Sequence, residues 1–424
     1  MSKAGGEILF LAHRVPFPPD RGDKIRSHHI LKALAAMAPV HVATLGDSEA
    51  DLAHEADLAA VAASHCLIQR EKPMWRAGME ALSRGRPVSL TAFRSEALVD
   101  YVHDVLATRP IDTIYVFSGQ MGQYVPADFS GRLLLDLVDV DSAKFEQYAV
   151  KGFGPRRWID AREGRLLRAV EDRLSVRAEH TLLVSEAEAD LFRLRVSDAE
   201  EHSIRALGNG IDADYFDPEA SHAHAELASK PGPHIVFTGQ MDYAPNVEAA
   251  HKLLGTILPA IRQVHPDATA HIVGRKPAPA LRQYGPAKGA IVWGEVADMR
   301  PFLAGADLVC VPLALARGIQ NKVLEAMAMA RPVIASQSAA TGIGAEDSKH
   351  LAIAEGTEAF VARALELLAH RDMARDMGRA ARAFVVDHRS WPAMLAQLPL
   401  LAGRGAAGVR LVSGGPTGET RHVA

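Results

Sequence analysis

Cysteine is nearly absent from this sequence, with only Cys66 and Cys310 among 424 residues. Each lies inside a short apolar segment of strand length, the usual setting of buried, unreactive thiols. The spacing of cysteines and histidines that marks a zinc site is also missing. We therefore expect a protein of a reducing cytoplasm, without disulfides and without a structural metal.

Long hydrophobic runs are also lacking. The first residues hold only about six apolar side chains before His13, too few for a signal-peptide core, and no other stretch reaches the length of a membrane span. The formal net charge of −4 gives no general attraction to nucleic acid, so an anionic ligand must be met by locally placed basic groups. We expect a soluble or membrane-peripheral protein that does not bind nucleic acid.

What the sequence does contain is ordinary globular composition, with 48% hydrophobic and 23% charged residues. Its length predicts two domains of roughly 200 residues each. Short apolar runs alternate with helix-patterned segments twice over, which predicts an α/β protein with two doubly wound parallel sheets. The predicted parts are a first domain 1–207, a turn-rich linker 208–233, a second domain 234–387, a C-terminal helix 388–402 packing back toward the first domain, and a disordered Gly-rich tail 403–424.

The predicted strands fall in two series. Those of the first domain are Ile8–Ala12, Val40–Leu45, His65–Gln69, Thr113–Phe117, Leu133–Val138, Thr181–Ser185 and Ser203–Leu207. Those of the second are Ile235–Thr238, Ala270–Val273, Ala290–Trp293, Leu308–Pro312, Pro332–Ser336 and Leu351–Ala354. Because ligands of such sheets bind beyond the carboxyl ends of the strands, the loops at those ends are the candidate sites.

The loop after the first predicted strand is basic and leads into a helix. It carries Arg14, Asp23 and Lys24 among several prolines. Backbone amides and the helix dipole favour anions at such a place, which predicts phosphate binding, although a solvated turn would have the same composition. The loop has neither a Walker pattern nor a GxGxxG pattern.

Three carboxylates, Asp136, Asp139 and Asp141, cluster near the end of the fifth predicted strand. Such crowding is costly unless the groups are hydrogen-bonded, metal-bound or catalytic, so the cluster is a candidate site. The alternative is helix capping by Asp141 or Ser142. Asp139 and Asp141 also spell a DxD pattern of metal-dependent transferases of another fold, but a three-letter match carries little weight.

A predicted helix over 319–330 follows the strand LVCVP and places Lys322 and Glu325 on one face. A lysine near a helix N-terminus is unfavourable for the helix dipole, and a bound diphosphate would offset that conflict. Glu325 could then accept hydrogen bonds from two ribose hydroxyls, as an acidic residue does in dinucleotide folds. The alternative is an exposed Lys–Glu pair worth a few tenths of a kcal/mol.

The ordered set of motifs resembles a known family. PPDRG, VSEAE, NGIDADYFDP, FTGQMDYAPN, IVGRKP, GIQNKVLEAMAMARPVIAS and the Ser390-Trp391 pair follow one another as in the retaining glycosyltransferases of family four. These enzymes have the GT-B fold, in which two Rossmann-like domains face each other across a cleft. The segments HRVPFPPDRGDKIRSHH and DLVDVDSAKFEQYA most resemble the corresponding motifs of the subgroup associated with exopolysaccharide and PEP-CTERM systems.

The resemblance implies roles for individual residues. Catalytic roles fall to Asp139, Lys322 and Glu325, and acceptor-side roles to Arg14, Asp23, Lys24 and Asp141. The implied donor-binding residues are Gly22, Gly239, Gln240, Gly274, Arg275, Arg317, Gly318, Ile319, Asn321, Lys322 and Glu325. No metal or other cofactor is implied, because Lys322, Arg275 and helix amides would stabilise the departing diphosphate.

Three departures from the family pattern stand out. Arg317 occupies the place of a second glutamate, eight residues before Glu325. Gln240 and Asn246 stand where many relatives have Arg and Lys, and Asp139 aligns with a frequent histidine. The implied reaction moves a sugar with retention from a nucleotide-diphosphate sugar to an acceptor hydroxyl, for which a lipid-linked saccharide is one candidate. A sugar-nucleotide epimerase of the same fold and a non-catalytic nucleotide-sugar-binding protein remain alternatives.

Residues 70–94 form a basic, amphipathic stretch in which Met74, Trp75, Met79 and Leu82 alternate with arginines. This pattern is typical of helices that lie on anionic membranes, where a lipid-linked acceptor would reside. A solvated helix face is the alternative. Flotation with anionic liposomes separates the two.

Overall fold

The computed structural model describes residues 6–316 and 318–405. The chain divides into two compact units. One comprises the chain up to Asn209 together with the chain from Leu395 onward, and the other comprises Gly210–Met394. The boundary between them falls inside the predicted turn-rich segment 208–233, where Asn209-Gly210 interrupts any regular structure.

The first unit is built on a seven-stranded parallel sheet with the order β3-β2-β1-β4-β5-β6-β7. All six residues of the first strand are buried, as expected for a parallel sheet covered by helices on both faces. The strands are β1 (Glu7–Ala12), β2 (Val40–Gly46), β3 (Ser64–Gln69), β4 (Ile111–Phe117), β5 (Arg132–Val138), β6 (His180–Leu183) and β7 (Ile204–Ala206). The helices between them are α1 (Gly22–Ala35), α2 (Glu49–Leu52), α3 (Glu55–Ala59), α4 (Met74–Ser83), α5 (Val88–Ala92), α6 (Glu96–Thr108), α7 (Asp141–Lys151), α8 (Gly154–Arg177) and α9 (Glu186–Arg193).

The second unit repeats the plan with six parallel strands in the order β10-β9-β8-β11-β12-β13. The strands are β8 (His234–Thr238), β9 (Thr269–Val273), β10 (Ala290–Gly294), β11 (Leu308–Val311), β12 (Val333–Ala335) and β13 (Ala352–Ile353). The helices are α10 (Ala225–Ala228), α11 (Ala244–Lys252), α12 (Leu258–Val264), α13 (Arg300–Ala304), α14 (Asn321–Ala328), α15 (Gln337–Ala340), α16 (Gly356–Ala369), α17 (Arg371–His388) and α18 (Trp391–Met394). A π-helical turn, Leu253–Ile257, joins α11 to α12.

In both sheets the strand order reverses direction beside the first strand of the unit. The switch lies between β1 and β4 in the first unit and between β8 and β11 in the second. Parallel pairing aligns Ala12 with Phe117, so the residues that follow these two strands emerge at the same edge. These switch points are where open α/β sheets bind ligands.

Every predicted strand is present, with each end within two residues of its predicted position. This confirms the α/β, doubly wound fold class. Cys66 lies half-buried in β3 and Cys310 buried in β11, where burial raises the pKa of the Cys310 thiol to about 12. None of the helices in the described parts of the chain combines the length and apolar character needed to cross a membrane.

The predicted C-terminal helix 388–402 is not one helix. After α17 ends at His388, the chain forms α18 and then α19 (Leu398–Leu401). Pro399 lacks an N–H and would break a continuous helix at this point, which accounts for the interruption. The predicted linker likewise contains the short helix α10.

The first residues of the predicted disordered tail are held in place. Arg404 pairs with Asp112 at 2.6 Å and donates to the Gly6 carbonyl, so residues 403–405 are attached to the first unit. The rest of the predicted tail, 406–424, lies outside the described residues.

Candidate active site

Two glycines shape the switch point of the second unit. Gly239 directly follows β8 and Gly274 directly follows β9, and their φ angles are +153° and +149°. A Cβ atom on Gly274 would lie 1.7 Å from the carbonyl oxygen of Gly239. Only glycine therefore fits at 274, and bare backbone lines this end of the sheet, as close approach of a ligand requires.

Lys322, in the first turn of α14, points its ammonium group at this backbone. Its Nζ would lie 3.1 Å from a Cβ on Gly239, and it is 5.2 Å from the centroid of the Phe237 ring. Within the described residues its hydrogen-bond partner is the neutral Asn246 Oδ1, and it forms no ion pair. Burial lowers the pKa of Lys322 to about 8, with Glu325 opposing that effect. Among the residues that the structure describes, this cation thus has no anionic partner within ion-pair distance.

Asn246 holds that cation in place. It is 5% exposed, and its Nδ2 donates to the Gln240 carbonyl at 2.9 Å, which leaves Oδ1 facing Lys322. Sequence reasoning treated Asn246 only as a departure from the family pattern. Its contact with Lys322, 76 residues away, gives it a positioning role.

Glu325 lies one turn farther along α14 and is half-buried. Its carboxylate makes no hydrogen bond and no ion pair with any residue that the structure describes. Burial raises the pKa of Glu325 to about 7, against the opposing charge of Lys322. An unpaired carboxylate in such a place is costly, and hydroxyl groups of a ligand would satisfy it.

The outer part of the candidate donor site is more exposed. Arg275 donates from Nη2 to Gln240 Oε1 at 3.0 Å, and Gln240 donates from Nε2 to Asp242 at 2.6 Å. Gln240 and Arg275, which directly follow Gly239 and Gly274 in the sequence, thus also contact each other. Three further predicted residues lead into α14: Gly318 with φ +64°, the half-buried Ile319, and Asn321, the first helical residue. The predicted site residue Arg317 lies outside the described residues.

A pocket of about 470 Å³ opens at the switch point of the first unit. It lies beyond the carboxyl ends of β1, β4 and β5. Its lining residues are His13, Arg14, Arg21, Asp23, Phe93, Phe117, Ser118, Gln120, Leu137, Val138, Asp139, Asp141 and Lys144. The predicted acceptor-side residues Arg14, Asp23 and Asp141 and the predicted catalytic Asp139 therefore share one pocket.

Each carboxylate of this pocket has a basic partner. Lys144 Nζ lies 2.8 Å from Asp139 and 3.3 Å from Asp141, and these two carboxylates raise the pKa of Lys144 although burial opposes them. Asp23 lies 2.9 Å from Arg14 and 3.2 Å from Arg21. Burial alone would raise the pKa of Asp23, but its neighbours lower it well below the usual range. The expected repulsion among the aspartates is thus relieved by pairing.

His13 is a pocket residue that sequence reasoning missed. Its ring stacks on Phe117 at 5.8 Å and meets the Phe93 ring edge-on at 5.7 Å. Its Nε2 lies 3.1 Å from Arg14 Nη1 and 3.5 Å from Asp23, while its buried Nδ1 has no hydrogen-bond partner in the described part of the chain. Its aromatic neighbours are distant in sequence, so no local pattern identifies it.

The backbone around this pocket is strained at two neighbouring strand ends. Ser118 and Val138, which lie next to β4 and at the end of β5, have φ angles of +76° and +69°. A β-branched residue rarely adopts this conformation, and such strain persists where the surrounding structure enforces it. Val138 N–H donates to Asp136 Oδ1 at 3.1 Å, and Ser118 N–H donates to the Asp136 carbonyl at 2.7 Å, so Asp136 stabilises both strained positions.

Asp136 is a structural residue. It is fully buried and accepts hydrogen bonds from Arg26, at 3.0 and 3.1 Å, and from the Tyr115 hydroxyl at 2.8 Å. Arg26 is also fully buried and donates to the Leu207 carbonyl at 2.7 Å and to Asn209 Oδ1 at 2.9 Å. This network fixes the floor beneath the pocket.

Two predicted residues of the first unit, Lys24 and Gly22, are not among those that line this pocket. Lys24 is 3% exposed, pairs with Asp51 at 2.5 Å and donates to the Phe17 carbonyl, so its ammonium group is engaged away from the pocket. The flexible stem of Lys24 carries its ammonium group to the half-buried carboxylate of Asp51. Gly22 begins α1 and has open space where a Cβ would stand. The alternative of helix capping by Asp141 or Ser142 is wrong, since the N-cap residue of α7 is Val140 and no side chain caps this helix.

Over residues 6–316 and 318–405, no three or more His, Cys, Asp or Glu side chains come together as a metal site would require.

Comparison with known families gives one match. Residues 232–370 match the family model described as glycosyl transferases group 1. The matched segment contains both glycines, Lys322 and Glu325. No curated protein is a significant match to the chain.

Solved structures match over almost the whole chain. A glycosyltransferase from Rickettsia africae is 14% identical with a TM-score of 0.61, covering 95% of this chain and 99% of that one. Anabaena HepE in complex with UDP-glucose is 16% identical with a TM-score of 0.58, covering 93% and 99%. WaaG, a glycosyltransferase involved in lipopolysaccharide biosynthesis, is 16% identical with a TM-score of 0.57, covering 93% and 100%. At this identity the likeness establishes the fold, which is GT-B.

Proposed function

Taking as premise that residues 232–370 form a glycosyltransferase group 1 domain, we propose that this GT-B protein is a retaining glycosyltransferase acting on a nucleotide-diphosphate sugar. The observation that carries the proposal is the placement of Lys322 and Glu325 on one helix beside the bare backbone of Gly239 and Gly274, where neither side chain forms an ion pair with a described residue. The acceptor is a hydroxyl group, and exopolysaccharide assembly is the proposed setting.

The donor diphosphate lies against the first turn of α14. Helix N-terminal amides and the Lys322 ammonium both favour an anion there, and Asn246 keeps that ammonium aimed at Gly239. Binding gives Lys322 the counterion it lacks. Arg275, held by Gln240, adds a second positive charge at the outer end of the site.

Glu325 binds the ribose. Its half-buried carboxylate has two oxygens free to accept hydrogen bonds from vicinal hydroxyls, the pattern by which acidic residues hold ribose in dinucleotide folds. The nucleotide-bound structure of Anabaena HepE supports a nucleotide-sugar ligand for a chain of this fold.

The chemistry requires stabilisation of the departing diphosphate. The charge that develops on the leaving oxygen is met by Lys322, Arg275 and helix amides, whose fixed positions avoid reorganisation during the reaction. These groups need no metal ion, and we propose a metal-free transfer.

The first-unit pocket is the proposed acceptor side. Its aromatic wall of His13, Phe93 and Phe117 and its polar edge of Asp139 and Asp141 suit an amphipathic ring such as a saccharide. Asp139 orients the transferred sugar or the acceptor hydroxyl. A lipid-linked saccharide is the proposed acceptor, which would place the enzyme at the surface of a membrane.

Calorimetric screening of nucleotide-diphosphate sugars against the wild type, Lys322→Ala and the exposed-lysine control Lys349→Ala tests the donor site. We expect one donor class to bind the wild type and the control, and to bind Lys322→Ala at least about tenfold more weakly. NMR of the product with a simple acceptor then gives the anomeric configuration. Equal binding by all three proteins would falsify the donor site, and an epimerised nucleotide sugar as the only product would replace transfer with epimerisation.

A further inference from the structure

The exposed large apolar side chains of the first unit are concentrated in two segments. Trp75, on α4, is 69% exposed, and Phe153, at the turn between α7 and α8, is 91% exposed. The exposed apolar residues of these segments are Met74, Trp75, Met79 and Leu82, and Tyr148, Val150, Phe153, Trp158 and Ile159. They make up about half of the large hydrophobic residues that are exposed anywhere in the described chain. Such a concentration is typical of an interaction surface.

Helix α4 turns only one edge toward the protein. Ala77 and Ala81, one turn apart, are completely buried. Gly78 lies in the middle of the apolar face, and a Cβ atom added to it would have nothing within 4 Å. The large residues on either side of that glycine therefore project from the unit, although apolar side chains on a helix normally pack against a core.

The two segments are attached to each other. Arg162 of α8 donates to the carbonyls of Ala81, at 3.0 Å, and Arg86, at 3.2 Å. The buried Glu163 accepts the N–H groups of Val88 and Ser89, each at 2.8 Å. Trp158, which is 60% exposed, lies one turn before Arg162 on the same face of α8.

The charge of these segments identifies the partner. Residues 72–86 contain four basic and one acidic side chain, and residues 148–166 contain five basic and two acidic ones, giving +6 in a chain whose net charge is −4. Aromatic and aliphatic side chains flanked by arginines match an anionic bilayer, which accepts apolar groups below a layer of negative headgroups. A second copy of this chain, docking through the same surface, would place a charge of +6 against +6, and the two surfaces would repel each other.

We propose that α4 and the α7–α8 turn form a two-part surface that inserts into the interface of anionic membranes. The α7–α8 turn is the part that no amphipathic sequence pattern indicates. This inference extends the proposed lipid-linked acceptor, but it rests on exposure and charge and does not require turnover.

Vesicle flotation of the full chain tests it. Vesicles of phosphatidylcholine alone are compared with vesicles that also contain phosphatidylglycerol. We expect flotation only with the anionic vesicles, weakened by high salt. The double variants Trp75→Ser with Met79→Ser, and Phe153→Ser with Trp158→Ser, should each lose affinity by about tenfold or more. The exposed apolar control Leu194→Ser should float as the wild type does.

The proposal would be overturned if the wild type did not float with anionic vesicles, or if Leu194→Ser lost as much affinity as the double variants. It would also be overturned if the Phe153/Trp158 double variant floated as the wild type does. A dimer in light scattering that the double variants convert to monomer would show that the surface binds a second copy instead. Should a serine variant misfold by circular dichroism, Arg76→Glu with Arg157→Glu is the substitute and is expected to lower affinity similarly. Nucleotide-sugar binding is measured in parallel, because its loss would concern the donor site and leave membrane binding unaffected.

Discussion

Replacing Glu325 by glutamine should stabilise the protein while weakening its donor site. Burial raises the pKa of Glu325 from 4.5 to about 7. The ionised carboxylate is thus penalised in the folded state, and the penalty grows from about pH 4.5 and is complete above about pH 7. The difference between the two pKa values corresponds to about 3 kcal/mol at most, and solvent screening of this half-buried group reduces it to about 1–2 kcal/mol.

Urea unfolding of the wild type and Glu325→Gln at pH 5 and pH 8 measures this effect. We expect the variant to exceed the wild type by about 1–2 kcal/mol at pH 8 and by under about 0.5 kcal/mol at pH 5. The exposed-carboxylate variant Glu248→Gln should show no such difference. Donor affinity of Glu325→Gln should fall at the same time. An unchanged stability at pH 8, or wild-type donor affinity in the variant, would refute the reasoning.

Four further predictions concern the candidate donor site and the first-unit pocket. Donor affinity, measured by calorimetry across pH, should be highest between about pH 7 and pH 8, because Glu325 loses its charge below that range and Lys322 loses its charge above it. Lys322→Met should weaken donor binding by about 1.5–3 kcal/mol in the same assay. Gly274→Ala should lower the free energy of unfolding by more than about 2 kcal/mol, whereas Gly285→Ala, which has open space, should change it by under about 1 kcal/mol. Asp139→Asn should reduce kcat while leaving the donor Kd unchanged, and a parallel loss of donor binding would place Asp139 outside the acceptor role.

Much of the fold is predictable from the sequence because buried parallel strands appear as short apolar runs. The predicted strand 308–312, for example, is apolar throughout, and its first four residues form β11. Gly239 and Gly274 were identified only through the family resemblance, and the structure places them directly after β8 and β9 with positive φ angles. The spacing of Lys322 and Glu325 predicted that they lie on one helix, and both lie on α14. Their roles in donor binding stay a prediction.

What sequence reasoning could not reach depends on contacts between distant residues. Lys24 has the surroundings of a phosphate-binding lysine, yet Asp51, 27 residues later, draws it into a buried pair. Asn246 gains its role from a lysine 76 residues away. His13 belongs to a pocket only because Phe93 and Phe117 close on both of its sides. No local period or motif encodes such pairings.

The buried guanidinium of Arg26 has a consequence for how the molecule responds to ligands. Its Nε donates to the Asp136 carboxylate, which stabilises the strained ends of β4 and β5. Its Nη1 donates to Leu207 and Asn209, the last stretch of chain before the second unit begins. A displacement of the Asp136 carboxylate should therefore also act, through Arg26, on Leu207 and Asn209. A ligand in the first-unit pocket that moved this carboxylate would then alter the position of the chain where the main segment of the first unit ends.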